Sequence, residues 1–280
     1  MQQNELIRPG EVWLVGAGPG DPELLTRKAE RLLGAADIVF HDALVGSDIL
    51  ALLRVNCKIV SVGKRSGRHS KDQASINDLI VAAARSGLRV VRLKGGDPSI
   101  FGRSAEEIAA CRRQGITVRI CPGITAASAA AASGLASLTL RGQARGVTFL
   151  TAHTRAGELL ESDWATHAKG DATLAIYMGR IAAPAIAREL IKSGRGPETP
   201  VLIVANVSLP NERLIRGRLD SLAFLVRAIG DDDPTLLLIG AAVDHVRDAA
   251  ADLRGAEAIS RRSGAAIARA GVEEPMMNLF

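Results

Sequence analysis

Short apolar runs along this chain are separated by stretches whose apolar residues fall at helical spacing. In the first half that order, strand then helix then strand, predicts a parallel sheet with crossover helices. The expected strands are Val12–Ala17, Asp37–His41, Lys58–Val62, Leu88–Leu93 and Thr117–Cys121. Between them, Asp21-Pro22-Glu23 reads as N-cap, first-turn proline and first-turn acid of a helix reaching about Leu33. Ser70 with Gln73, and Ser104 with Glu107, read as capping boxes of helices ending near Arg85 and Arg113. An Ala/Ser/Gly-rich segment after Pro122 predicts a closely packed helix ending near Gly134.

The stretch Ser137–Gly146 has no strong periodicity, and a second series of strands follows it. These are Val147–Ala152, Thr173–Met178, Val201–Val207, a hairpin return through Leu214–Arg216, and Thr235–Ala241. The expected organisation is therefore one α/β lobe over 10–136 and another over 146–253. Residues 254–280, Ala- and Arg-rich without an apolar face, are expected to be a flexible tail.

Composition narrows the ligand. Thirty-five Lys+Arg against 30 Asp+Glu leaves +5, which suits an anionic small molecule, and 3% aromatic residues weigh against base stacking on nucleic acid. Three cysteines, Cys57, Cys111 and Cys121, offer neither a disulfide framework nor a zinc spacing, so the expectation is a reducing cytoplasm and no metal. Charges break the N-terminus before any signal-like run, and Ile124–Leu140 is too weakly apolar to span a membrane.

Three loops leave the first, fourth and fifth of the expected strands in the same direction. The first, Gly16-Ala17-Gly18-Pro19-Gly20-Asp21, imitates a dinucleotide fingerprint with Asp42 about 20 residues on. Asp21 stands where the third glycine belongs and puts a negative charge where a pyrophosphate would sit, and Pro19 removes a backbone donor. A nicotinamide cofactor is disfavoured, and a neutral or cationic ligand suits the loop better; a ligand-free tight turn is the plainer alternative. The second loop is Lys94-Gly95-Gly96-Asp97-Pro98, running on through Ile100-Phe101-Gly102-Arg103. The third is Pro122-Gly123-Ile124-Thr125-Ala126. Ligands of open α/β sheets bind at the carboxyl ends of strands, so the three loops are expected to meet at one crevice.

Asp42 follows the second strand and Lys64 the third, and they offer an acid and an amine for proton exchange, or a surface ion pair. The run Lys64, Arg65, Arg68, His69, with Arg103, Arg141 and Arg145, offers either a solvated face or a polycarboxylate site. In the second half, Met178 ends a strand beside Gly179, either as a core methionine or as a soft wall for a ligand. His153, His167 and His245 show no metal-ligand spacing.

At these residues the sequence resembles the tetrapyrrole methylase family. The likeness runs through VGAGPGDPELLTRKA (Val15–Ala29), ADIVFHDALV (Ala36–Val45), VGKRSGRHSKDQASIN (Val62–Asn77), VVRLKGGDPSIFGRSAEE (Val90–Glu107) and CPGITAASAAAA (Cys121–Ala132). The third and fourth runs resemble the branch that methylates uroporphyrinogen III. The resemblance implies two α/β lobes with S-adenosylmethionine in the cleft between them, S-adenosylhomocysteine as coproduct, and a homodimer. It places cofactor contacts at Pro19, Gly95, Gly96, Asp97, Ile100, Thr125, Ala126, Met178 and Val207, a proton acceptor at Asp42 and a proton donor at Lys64. Arg65, Arg103 and Arg141 are the expected partners of substrate carboxylates.

The chain departs from the family pattern where Ala205-Asn206-Val207-Ser208 replaces an acidic-Asn-Gly-Thr run, and where Leu140 replaces a histidine before Arg141. The implied reaction adds two methyl groups to uroporphyrinogen III and gives precorrin-2 by way of a monomethylated intermediate. The expectation is a free-standing cytoplasmic enzyme serving cobalamin or sirohaem synthesis, with no nucleic-acid or membrane partner. The rivals are a methyltransferase for a later precorrin, RNA or a protein residue, and a non-catalytic binder of tetrapyrrole or S-adenosylmethionine.

Overall fold

The ten expected strands all form, in two sheets. In the computed structural model residues 6–63, 72–152, 164–230 and 233–243 are described, and all fall within one unit, Met1–Val243. The expected tail lies outside the described residues.

The first sheet contains β1 (Val12–Gly16), β2 (Ile38–His41), β3 (Lys58–Ser61), β4 (Val90–Lys94) and β5 (Val118–Cys121), wholly parallel in the order β3-β2-β4-β1-β5. Its inner strands β1, β2 and β4 bury both faces, successive side chains pointing to opposite sides, whereas the edge strands β3 and β5 are largely exposed. Trp13, Val15, Val39, Val91 and Leu93 pack beneath α1 (Arg27–Ala35) with Ala29, Leu32 and Leu33. Val12, Leu14, Ile38, Phe40 and Val90 pack instead against α3 (Gln73–Arg85) and α4 (Ser104–Arg113), with α2 being the short Ser47–Leu50. Asp37 pins the start of β2 to β4: its carboxylate accepts the Arg89 backbone N–H at 2.8 Å and the guanidinium at 3.0 and 2.6 Å.

Those bonds from Arg89 outweigh partial burial and hold the Asp37 carboxyl below its ordinary range. A lowered folded-state pKa stabilises at pH values above the unfolded one, near 3.9, and is lost as pH falls through the folded one. Asp37→Asn is therefore expected to cost about 1–3 kcal/mol at pH 7. In urea unfolding, the gap from wild type should close below about pH 4. A gap independent of pH would assign the bond no charge component.

All three expected helix starts differ. Asp21 caps only a turn of 3-10 helix, Pro22–Leu24, accepting the Glu23 N–H at 2.9 Å. The chain extends at Leu25, and Thr26 caps α1 through the Ala29 N–H. The expected Ser104–Glu107 capping box does not form: Arg103, at φ +54, is the N-cap, Ser104 Oγ donates to the Pro98 carbonyl at 2.5 Å, and Glu107 turns into the core. At α3 the cap is Asp72, which accepts the Ser75 N–H at 2.7 Å; Ser70 lies outside the described residues.

The second sheet is mixed, in the order β6-β7-β10-β8-β9. Its strands are β6 (Val147–Thr151), β7 (Thr173–Tyr177), β8 (Pro200–Ala205), β9 (Arg213–Arg218) and β10 (Thr235–Ile239). Only β6 and β7 run parallel; β10 is antiparallel to β7 and β8, and β8–β9 is the expected hairpin. One face packs on α6 (Trp164–Lys169), α7 (Ala183–Lys192) and α8 (Leu222–Ala228). The other receives α5 (Ala126–Ser133), whose alanines 127, 129, 130 and 131 lie on Ala175, Leu202, Val204, Leu236 and Leu238. Helix α5 leaves a strand of the first sheet and packs on the second, joining the two.

Candidate functional site

The three glycine loops meet. An antiparallel bridge joins the first two, Gly96 N–H to the Gly18 carbonyl at 2.7 Å and Gly18 N–H to the Gly96 carbonyl at 3.2 Å. Gly123 of the third loop donates to Asp97 Oδ2 at 2.9 Å, while Asp97 Oδ1 accepts the Ser99 N–H at 2.7 Å. Asp97 is thus a strut between loops, a role that its motif alone does not disclose. The approach is so close that a Cβ on Gly16 would lie 2.6 Å from the Gly123 Cα and 2.7 Å from the Gly96 carbonyl oxygen. Gly96, at φ +68, leaves open space where a side chain would stand, so the rim of the crevice is bare backbone. Pro19 and Ile100 flank it, half-buried.

The second lobe closes on these loops through Tyr177. Its hydroxyl is bonded to Thr125 Oγ1 and accepts the Ala127 N–H at 3.3 Å, so the last residue of β7 holds the first turn of α5. Thr125 and Ala126 are fixed by this clasp. The Tyr177 ring meets Phe101 of the second loop, centroids 5.2 Å apart, and Phe149 of β6 at 6.1 Å. Burial pushes the phenol above its ordinary value despite the opposing bonds from Thr125 and Ala127. The expected cost of Tyr177→Phe, which keeps the ring and removes the clasp, is about 1–3 kcal/mol in urea unfolding. Wild-type stability in that variant would make the hydroxyl incidental.

Met178 and Asn206 follow β7 and β8 directly, with φ of +55 and +52, and Ser208, Phe101 and Arg103 also have positive φ. Such conformations cost about 1–3 kcal/mol each and gather where geometry serves a ligand. Met178 is 51% exposed, so it is not a core methionine, whereas Val207 is buried in the core of α5 and the second sheet. Val207 can therefore meet a ligand only through its backbone.

Asp42 stands just beyond β2, its side chain 29% exposed and ion-paired to the buried Arg92. Gly63 packs so closely that a Cβ there would overlap the Asp42–Ala43 peptide. Lys64 and Arg65, which follow Gly63, lie outside the described residues, as do Arg68 and His69. Arg103 is engaged by Glu106, at 2.8 Å through both Nε and one terminal nitrogen. Arg141 is exposed and lines, with Thr139, Leu140 and Arg145, a hollow of about 550 Å³. A second hollow, about 520 Å³, lies among Asp21, Leu24, Ile124, Ser128, Ser208 and Glu212 and includes none of the expected cofactor residues.

Sequence reasoning missed the buried partners of Asp42. Arg92 and Lys94 alternate on β4, a strand flanked on both sides, so both must be buried and both need acids. Glu107 supplies one, at 2.9 Å from Arg92 Nε and 3.1 Å from Lys94 Nζ. Burial, then the neighbouring Arg92, lowers Lys94 from its ordinary value against the pull of Glu107 and Asp42. Among the described residues no group of three or more His, Cys, Asp or Glu could hold a metal, the cysteines are free, and no helix is long and apolar enough to cross a membrane.

Comparison with known proteins agrees with the geometry. The tetrapyrrole (corrin/porphyrin) methylases match residues 11–223. The siroheme synthase of Tolumonas auensis is 46% identical over 232 residues, 82% of this chain and 49% of that protein. The chain thus spans about half the length of the siroheme synthases it matches. The uroporphyrinogen-III C-methyltransferase of Paracoccus denitrificans is 44% identical over 241 residues, 86% of this chain and 84% of its own. Among solved structures, the uroporphyrin-III C-methyltransferase of Thermus thermophilus complexed with S-adenosylhomocysteine has a TM-score of 0.71 at 39% identity, covering 84% of this chain and 93% of its own. A cobalt precorrin-4 methyltransferase has 0.76 at 29% identity, covering 84% and 96%.

Proposed function

This chain belongs to the tetrapyrrole methylase family, and we propose that it transfers two methyl groups from S-adenosylmethionine to uroporphyrinogen III, giving precorrin-2 through a monomethylated intermediate. The observation that supports this most is the meeting of three glycine loops at one crevice, with Tyr177, just before Met178, bonded to the third loop, the segment after β8 against the first, and Asp42 following strand β2.

The residues fit the cofactor. Bare backbone at Gly96 admits close contact, Gly95 beside it packs on Leu44, Asp97 and Ile100 follow in the same loop, and Pro19 closes the first loop without the donors that a pyrophosphate would want. Thr125 and Ala126 are held by the Tyr177 clasp, Met178 offers an exposed thioether, and Val207 offers its backbone. The Val207 contact therefore survives the loss of the family's glycine. When bound, S-adenosylmethionine supplies a methyl group already activated by its sulfonium.

The protein's own share is orientation and a proton. Holding reactants aligned is worth about 7–11 kcal/mol in well-organised systems. Asp42 accepts the proton that the macrocycle loses after methyl attack, from a position other than the methylated carbon, which bears no hydrogen, and Lys64 returns a proton or holds a substrate carboxylate. The substrate carries eight carboxylates, which the net charge of +5 attracts. Of the arginines, we assign one carboxylate to Arg141, which is exposed, whereas at Arg103 a substrate carboxylate competes with Glu106. Anaerobic incubation with S-adenosylmethionine and uroporphyrinogen III, then mass spectrometry of the oxidised product, is expected to show two added methyl groups. Cofactor binding with no transfer would overturn the proposal in favour of another tetrapyrrole or a binding protein.

A further inference from the structure

Four charged side chains run from the crevice into the core between β4 and α4. Asp42 is paired through Oδ1 with a terminal nitrogen of Arg92, a residue whose side chain is 3% exposed. Arg92 Nε donates to Glu107 Oε1 at 2.9 Å, and its other terminal nitrogen donates to the Leu93 carbonyl at 3.0 Å and the Phe40 carbonyl at 3.4 Å. Glu107, wholly buried, also takes Lys94 Nζ at 3.1 Å on each oxygen and Gln73 Nε2 at 3.4 Å. Two cations thus face two anions.

Burial of this set is costly, since each ion loses several kcal/mol of solvation, and a well-packed apolar replacement is often as stable or more so. Core stability alone therefore does not account for it. What the arrangement does achieve is a guanidinium that cannot turn: each edge of its planar fork is occupied, and only one terminal nitrogen reaches the crevice. That nitrogen takes Oδ1 of Asp42 and leaves Oδ2 as the oxygen for a proton.

We propose that Arg92 is a positioning residue, anchored by Glu107, that fixes the carboxylate of Asp42 toward the substrate. The proposal rests on Asp42 being the proton acceptor. Lys94 completes the anchor: with Arg92 removed, Glu107 keeps Lys94 as its partner and the core stays charge-balanced, so Arg92→Met is a usable variant. Lysine at 92 restores the charge without the fork.

The test compares wild type, Arg92→Lys, Arg92→Met, Asp42→Asn and the double variant Asp42→Asn/Arg92→Met. Each is assayed anaerobically for methyl transfer at saturating substrate and titrated calorimetrically with S-adenosylhomocysteine. Misplacement of a reacting group costs about 10²-fold in rate. Arg92→Met is therefore expected to lose about 10²-fold in kcat and Arg92→Lys about tenfold, with KM and the S-adenosylhomocysteine Kd changed less than about threefold. Because Arg92 acts through Asp42, the double variant should be no slower than Asp42→Asn alone. Wild-type kcat in either Arg92 variant, multiplicative losses in the double variant, or kcat falling together with cofactor affinity would each overturn the proposal. If Arg92→Met does not fold, Arg92→Lys and Asp42→Asn/Arg92→Lys carry the same comparison. A wild type that binds S-adenosylhomocysteine but methylates no uroporphyrinogen III overturns the functional reading, and this proposal with it.

Discussion

Asp42→Asn is expected to slow methyl transfer to uroporphyrinogen III by about 10²–10⁴-fold, the usual worth of a positioned general base. Asparagine keeps an oxygen for Arg92 to hold, so the bond from the buried guanidinium survives and the loop after β2 keeps its place. What is lost is an atom able to take the proton. The S-adenosylhomocysteine Kd should change less than about threefold, because the cofactor loops follow β1, β4 and β5, whereas Asp42 follows β2. Single-turnover rates and calorimetric titration separate the two quantities. A wild-type rate in this variant would mean that the proton leaves to solvent or to another group, and would remove Asp42 from the mechanism.

Gly123→Ala is expected to be as damaging by an unrelated route. The added methyl would overlap the Gly96 carbonyl oxygen and lie 2.8 Å from the Gly16 Cα, and all of these atoms are backbone that no rotamer change can move. Overpacking of that kind costs about 1–3 kcal/mol. Here the strain falls on the contact that sets the crevice, so the S-adenosylhomocysteine Kd should rise at least tenfold as well. Gly34→Ala is the control. Its methyl meets open space within α1, so helix propensity alone predicts a gain of up to about 1 kcal/mol. Equal behaviour of the two variants would show that the three loops do not define the site.

The central strands were legible because they are apolar runs bounded by turn residues, and parallel strands buried on both faces read that way. The convergence of the loops followed from the rule that such sheets bind at their carboxyl ends. Glu107 was misread because a capping box and a buried acid share one local pattern. Its place beside Ala110 and Cys111, three and four positions on, is the sign that decides between them, since those residues mark the buried face of α4. Ile38, Phe40 and Asp42 share a side of β2, as Val90, Arg92 and Lys94 do on β4, so the relay was written in strand parity. The Tyr177 clasp was not: it joins residues 52 positions apart, and only the seating of α5 on the second sheet brings them together. The break at Leu25 escaped because Thr26 caps as well as Asp21 does, and one chain stretch held both signals.

The place of β10 bears on how the molecule is made. The first sheet is complete once Cys121 has been synthesised, whereas the second has at its centre a strand from Thr235–Ile239 that both β7 and β8 need as neighbour. On the ribosome, therefore, β7 and the β8–β9 hairpin wait with unpaired edges until the last described strand emerges, and α5 waits for its seat. At about 5–20 residues per second that delay lasts several seconds. A nascent chain stalled before Thr235 should hold a protease-resistant first sheet beside a second one that is still cleaved. The crevice is then the last part of the protein to acquire its shape.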